Sequence, residues 1–286
     1  MRPDQPEPTE TGIIILTCSR SPAARVNGAL AEAATLFHPH QIHLAHGFIS
    51  TDEEVDRLFD IGKARRWSKH MPTRSEMAAY ATHRLGWQTL LARDWQYALL
   101  LEDDFRFHTP EIVHQAVQRA PALLADGRHM IKLFDFPRDR SRHVGIETEI
   151  AGLPLVKWKR TRAGLVGYLI SREGAARLLA RERVFRVVDE DIKFFWEIGL
   201  DIWSLPGNPI REAASDLGGS LLESDRKGAR RRNLLRSIKG MALTLHRDWH
   251  TRRHYARYRK AFLQRQAAAL TSAPPPLSQE FAEAAE

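Results

Sequence analysis

The chain has 286 residues, 43% of them hydrophobic and 27% charged, which fits one or two globular domains with a sizeable buried core. Its longest apolar runs are about five residues where a spanning helix needs about 20, and its single cysteine allows no internal disulfide, so an integral membrane helix and a disulfide scaffold are both excluded and a reducing compartment is expected. The 43 Lys and Arg against 35 Asp and Glu give a net charge of +8, which points to an anionic partner without naming it.

Met1–Thr11 carries Pro and Glu with no apolar stretch of the secretory-signal type, and residues 1–11 read as disordered. Gly12–Thr17 (GIIILT) is a β-branched run that predicts a buried strand. Ser21 and Pro22 predict a helix from Pro22 to about Phe37, with Ser21 as N-cap and Pro22 at the first helical position. Gln41–His46 alternates as a strand does, Thr51–Lys63 reads as a helix opened by a Thr-Asp-Glu-Glu capping pattern, and Thr73–Ala92 is a further helix. Tyr97–Leu101 is an apolar strand that stops at three carboxylates. Pro110–Leu124 predicts a helix, His129–Phe134 a strand, and Arg138–Arg162 loops with one or two short strands. Gly164–Ile170 is a strand running into a helix at Arg172–Ala180; Val187–Ile198 looks helical and Asp201–Leu205 is a last strand. Strands alternating with helices predict an α/β domain with a mainly parallel sheet. There is no internal repeat, no G-x-G-x-x-G and no P-loop, so neither nucleotide fingerprint applies.

The chemistry concentrates in three places. Glu102-Asp103-Asp104 follow the strand Tyr97–Leu101, and ligands of open α/β sheets bind outside the carboxyl ends of the strands. Clustered carboxylates there form a hard oxygen site suited to Mg²⁺ or Mn²⁺ and hence to a diphosphate; taken alone, the cluster reads equally as a solvated turn. Glu76, Tyr80, His83 and Trp87 are spaced 4, 3 and 4, share one helical face and would line a cleft or form a half-exposed stripe, while Met77, Ala81 and Leu85 lie off it. Asp189-Glu190-Asp191 offer a general base, or an acidic helix N-terminus complementing the dipole.

With these residues in view, the chain resembles glycosyltransferase family 25, the lipopolysaccharide biosynthesis galactosyltransferases related to collagen hydroxylysine galactosyltransferases. Ile13–Arg25 (IIILTCSRSPAAR) is similar to the family's opening strand and following Arg, and Ser75–His83 (SEMAAYATH) to its Gly-Glu-Ile-Gly-Cys-Ala-x-Ser-His helix. Tyr97–Phe105 (YALLLEDDF) matches its Leu-Glu-Asp-Asp element, Gly164–Leu179 its Tyr-Leu-Ile-Ser-Arg-x-Gly-Ala strand and helix, and Val188-Asp189-Glu190 its Val-Asp-Glu. Thr82 stands where the family has Ser, Ser75 where it has Gly, and Ala78-Ala79 where it has Gly-Cys.

The resemblance covers residues 12 to about 212. It implies a GT-A-like fold and transfer of a hexose, usually galactose from UDP-galactose, with inversion. It further implies that Glu102-Asp103-Asp104 stand in for a D-x-D element, with Asp104 and Glu102 as metal ligands for Mn²⁺ or Mg²⁺. Thr17, Arg20, Arg25, Glu76, His83, Glu102 and Asp103 are then expected on the donor side, and Asp189 or Asp191 as the base that activates the acceptor hydroxyl. The expected layout is a transferase domain at 12–222, a basic helical extension at 223–270 and a disordered tail at 271–286.

The charge is polarised. Between Arg226 and Arg265 there are 14 Lys and Arg and one acid, Asp248, which leaves the rest of the chain at −5. Leu234, Leu235, Ile238, Met241, Ala242 and Leu245 form an amphipathic stripe there, and Tyr255, Tyr258 and Phe262 continue among basic residues. Such a stretch suits an anionic membrane surface, so residues 226–265 are expected to hold the protein at the cytoplasmic membrane face, near a lipid-linked glycan acceptor. No nucleic acid is expected, since no recognised binding fold accompanies the basic stretch. The rival readings are a non-catalytic relative that binds a glycan or partner, and a nucleic-acid-associated protein using the basic helices.

Overall fold

The computed structural model describes residues 10–68, 70–137, 144–213 and 234–272, with side chains of the last segment described over 239–265. Of the residues expected as disordered, 1–11 and 271–286, Thr11 belongs to the first strand and Thr271 and Ser272 to the C-terminal helix, while 1–9 and 273–286 lie outside the described residues, as do the basic residues Arg226–Arg232 and the side chains of Leu234, Leu235, Arg236 and Ile238.

An eight-stranded sheet forms the centre. Its strands are β1 (Thr11–Cys18), β2 (Ile42–Gly47), β3 (Tyr97–Glu102), β5 (Met130–Lys132), β6 (Gly145–Ile150), β7 (Leu153–Trp158), β8 (Gly167–Ser171) and β9 (Ile202–Ser204), in the order β2-β1-β3-β8-β5-β9-β7-β6. Strands β2, β1, β3, β5, β9 and β6 run one way and β8 and β7 against them, so the sheet is mixed but mainly parallel, as expected for an α/β domain. A separate ribbon pairs β4 (Phe105–Phe107) with β10 (Ile210–Glu212), a pairing with no local signal in either segment.

Strand residues alternate between two cores. Ile14, Leu16, Leu100, Tyr168 and Ile202 face α4 (Arg74–Ala92) and α7 (Arg172–Leu179), while Ile13, Ile15, Leu99, Leu101 and Trp203 face α1 (Ala23–Ala34) and α5 (Pro110–Gln118). Helices on both faces explain why β1 and β3 read as unbroken apolar runs.

Several predicted boundaries differ for identifiable reasons. Helix α1 starts at Ala23 with Pro22 as its N-cap, because the Ser21 hydroxyl donates instead to the Asp103 carboxylate at 2.5 Å. The helix expected over 51–63 is two, α2 (Glu53–Leu58) and α3 (Ile61–Trp67). Phe59 leaves the helix to bridge Val184, and Asp60 then caps α3 by accepting the Lys63 N–H at 2.9 Å. The helix expected over 110–124 divides at Arg119 into α5 and α6 (Ala120–Leu123), where Pro121 removes an N–H. Helix α8 (Val188–Asp191) passes into a 3₁₀ turn, Ile192–Glu197.

The C-terminal helix α9 (Leu234–Ser272) is 39 residues long. It lies against the domain through one face. His250 stacks on Trp196 with centroids 5.2 Å apart and Tyr258 meets Trp203 edge-on at 5.7 Å, so Tyr258 packs inward rather than joining an outward aromatic row. Among the described residues, no helix is long and apolar enough to cross a membrane.

Gly86 of α4 sits where the helix crosses the sheet, and a Cβ there would come within 2.7 Å of Leu100 and 2.8 Å of Leu16. Alanine ordinarily stabilises a helix interior over glycine by about 1 kcal/mol, whereas overpacking a core costs about 1–3 kcal/mol. Gly86→Ala is therefore expected to lower the unfolding free energy in urea titration, against the propensity scale.

Candidate active site

The carboxyl ends of β1 and β3, adjacent and parallel, open into a cavity of about 260 Å³ whose other walls come from α4, the loop before β8 and the start of α8. Thr17, Arg20, Arg25, Glu76, His83, Glu102, Asp103, Asp104 and Asp189 all line it. Asp191 does not: it is 2% exposed, accepts the Tyr80 hydroxyl at 2.8 Å, and lies 3.2 Å from Arg181 and 3.3 Å from Arg186. Burial among these partners sets Asp191, the other carboxylate expected as a base, back from the cavity that Asp189 lines.

The three carboxylates after β3 have separate surroundings. Asp103 is buried and saturated: Thr17 Oγ1 donates to it at 2.7 Å, Ser21 Oγ at 2.5 Å and Arg25 Nε at 2.6 Å. Arg25 also reaches Asp104 Oδ2 with Nη2 at 2.8 Å. Burial opposes the Arg25 charge, but Asp104 and then Asp103 outweigh it and push its pKa up. Thr17 and Arg25, expected on the donor side, are thus engaged with Asp103 and Asp104, and the guanidinium is committed before any phosphate arrives.

Asp104 is different. Its Oδ1 is buried and carries no hydrogen bond among the described residues. Burial, then the neighbouring Glu102, push its carboxyl up to about 7 although Arg25 pulls the other way; Asp103 and Glu212 add to the rise. Glu212 arrives through the β4–β10 pairing, which sets it opposite Phe105, and the Ala213 N–H bonds the Asp104 carbonyl at 2.8 Å. No sequence signal marks Glu212, because only that long-range pairing brings it to the cavity.

Glu102 is partly exposed and lies 3.2 Å from His83 Nε2. A carboxylate only accepts, so Nε2 carries the proton, Nδ1 accepts from the Tyr168 hydroxyl at 3.0 Å, and that oxygen accepts from Trp87 Nε1 at 2.8 Å. The expected row on α4 therefore divides. Glu76 and His83 line the cavity, whereas Tyr80 and Trp87 are core residues. Glu76 also closes a capping box with Thr73, accepting its N–H at 2.9 Å. Thr82 accepts the Phe48 N–H at 3.0 Å and packs where a Cβ on Gly47 would stand 2.2 Å away.

Opposite, Asp189 Oδ1 accepts the Gly164 N–H at 3.0 Å and its Oδ2 carries no hydrogen bond among the described residues. Gly164 has φ +101°, and a Cβ there would stand 2.7 Å from Phe134. The turn before it is held by buried Lys132, which donates to the carbonyls of Arg162 at 2.8 Å and Ala163 at 3.0 Å and to Asp135 at 2.6 Å. Arg20 is exposed at the rim and has no ion pair among the described residues. Phe134 and Phe136, which sequence reasoning missed, add an aromatic wall.

Among the described residues, no three His, Cys, Asp or Glu groups converge as a ready-made metal cage. The unpaired Asp104 oxygen and nearby Glu102 match instead the sparse protein ligation of a small divalent ion that takes its other ligands from water and phosphate.

The sequence model of the family described as glycosyltransferase family 25 (LPS biosynthesis protein) matches residues 49–192, half of the chain, and so spans α4, the Glu102–Asp104 turn and Asp189. No curated protein matches the chain significantly.

A carboxyl raised from 3.8 to about 7 holds its proton in the folded state between those values while the unfolded chain releases it. Stability then falls as pH rises through that window, and the penalty is complete above it. Asp104→Asn is expected to raise the melting temperature by about 2–4 °C per kcal/mol relieved, more at pH 8 than at pH 5, as read by differential scanning fluorimetry without added metal.

Proposed function

The chain belongs to glycosyltransferase family 25, and from that premise we propose that it moves a hexose, galactose by resemblance, from a UDP-sugar to a hydroxyl of a lipopolysaccharide-type or other surface glycan acceptor, with inversion and with help from Mn²⁺ or Mg²⁺. The observation that carries this reading is the unpaired, buried Asp104 Oδ1 in a carboxylate-rich cavity at the strand ends.

Asp104 and Glu102 would hold the ion, which when bound offsets the negative charge that grows on the departing diphosphate. Asp103 acts through position: its three donors lock the β1–α1 segment against β3. Among the described residues Arg20 is the cation left to engage the donor phosphates, and Glu76 and His83 complete the donor side, with His83 steering the Glu102 carboxylate through its Nε2–H. Asp189 takes the proton from the acceptor hydroxyl. Its anchored Oδ1 fixes the carboxylate while Oδ2 accepts from no donor among the described residues. A single base opposite the carboxylate cluster suits direct displacement, which inverts the anomeric centre. The acceptor is taken to be lipid-linked, so the work is placed at the cytoplasmic face of a membrane.

The test is a panel of UDP-hexoses, and other sugar nucleotides, assayed for Mn²⁺-dependent hydrolysis and transfer. Asp189→Asn is expected to lower turnover about 10²–10⁴-fold with little change in melting temperature, and Asp104→Ala to remove the response to Mn²⁺. Turnover that survives both substitutions, or no Mn²⁺-dependent reaction with any donor, overturns the reading.

A further inference from the structure

Helix α9 has two unlike long faces. At 100° per residue, Gly240, Arg247, Thr251, His254 and Tyr258 fall on one side, and these are the positions that meet the domain. Thr251 is buried, Arg247 reaches Glu190 at 3.2 Å, and Lys157 lies 4.7 Å from the Tyr258 ring. Met241, Leu245, Trp249 and Leu263 fall on the other side, with exposures of 62%, 64%, 56% and 51%. Four large apolar side chains along one exposed helix face are more than scattered surface hydrophobics.

The same face is strongly basic. Arg252, Arg253, Arg259 and Lys260 are exposed on it or beside it, and Arg253 lies over the Trp249 ring at 5.4 Å. Asp248, the one acid of this stretch, is paired with Arg160 at 2.7 Å, which offsets its charge. Beside the helix, α3 extends the surface. Trp67 is 39% exposed, with its ring 6.4 Å from His246, and Arg65 and Arg66 are exposed next to it. Apolar side chains among guanidiniums that have no ion pair among the described residues match an interface whose surface is anionic and whose interior is hydrocarbon.

We infer that the outward face of α9, carrying Met241, Leu245, Trp249 and Leu263 among Arg252, Arg253, Arg259 and Lys260, and bordered by Trp67, lies on the surface of an anionic lipid bilayer. Charge complementarity selects that occupant. The location makes it useful: Arg247 ties α9 to Glu190, the residue after Asp189, so the lipid-facing helix is fastened beside the acceptor base. This deepens the proposed function, on whose lipid-linked acceptor it rests.

The test is flotation of the full chain with vesicles of phosphatidylcholine alone and of phosphatidylcholine with 30% phosphatidylglycerol. Binding is expected to the anionic vesicles, to weaken with added salt, and to fall about tenfold for each of Leu245→Asp and Trp249→Asp. Arg252→Glu with Arg253→Glu is expected to abolish the preference for phosphatidylglycerol. All these positions are exposed, so circular dichroism and melting temperature should stay unchanged. Absence of vesicle binding, or binding indifferent to these substitutions, overturns the inference. So does a dimer in light scattering that Leu245→Asp converts to monomer, because a second copy would then cover the face. Sugar-nucleotide hydrolysis measured on the same preparations separates the two readings. Hydrolysis without flotation sinks only the lipid surface, and flotation without hydrolysis sinks only the transferase chemistry.

Discussion

A buried carboxylate cannot stay charged in a protein interior unless donors surround it, and the Asp103 site meets that demand with three. Thr17 lies near the end of β1, Ser21 in the turn that follows and Arg25 in the first turns of α1; all converge on a residue just past β3. The two strand ends and the helix between them are thereby tied at one point. Arg25 is the pivot, since its second nitrogen takes up half of the adjacent Asp104 carboxylate and leaves the other oxygen bare. One guanidinium shared between two buried carboxylates, with Glu102 and Glu212 nearby, leaves the floor of the cavity short of positive charge among the described residues. The excess positive charge of the whole chain is concentrated in sequence between Arg226 and Arg265.

The opposite wall follows the same logic with different chemistry. Three consecutive acids at the start of α8 point in three directions, as residues 100° apart on a helix must. Asp189 reaches the cavity and the Gly164 amide, Glu190 meets Lys193 and Arg247, and Asp191 is buried against Tyr80, Arg181 and Arg186. The buried pairing holds the short helix to α4 and the Arg247 contact holds α9 to the domain. Lining the cavity, holding α9 and anchoring the short helix are thus divided among neighbours of one residue class.

Much of the fold could be read along the chain. The apolar runs of β1 and β3, the capped helix from Thr73 and the alternation of strands with helices appear where periodicity and capping residues predict them. The cavity residues at the strand ends were legible for the same reason, because a carboxylate cluster directly after an apolar strand has only one place to go in an α/β sheet. What was not legible was the division of labour within each cluster. Asp103 and Asp104 are neighbours of identical type, yet one is saturated and the other half-bare; Ser21, a plausible helix cap, is drawn to Asp103 instead.

The sequence by itself therefore determined the mixed α/β class, the end of the sheet that carries the cavity, and the concentration of positive charge in the C-terminal stretch, because strand and helix periods and local charge counts are properties of short segments. Tertiary structure alone decided that Glu212 joins the cluster, that Arg25 serves carboxylates, that Asp189 and not Asp191 faces the cavity, and which face of α9 is left to solvent. Each of these depends on partners distant in the chain, on the β4–β10 pairing or on which side of a helix meets the core. No local pattern encodes the cost of leaving a given buried group without its distant partner.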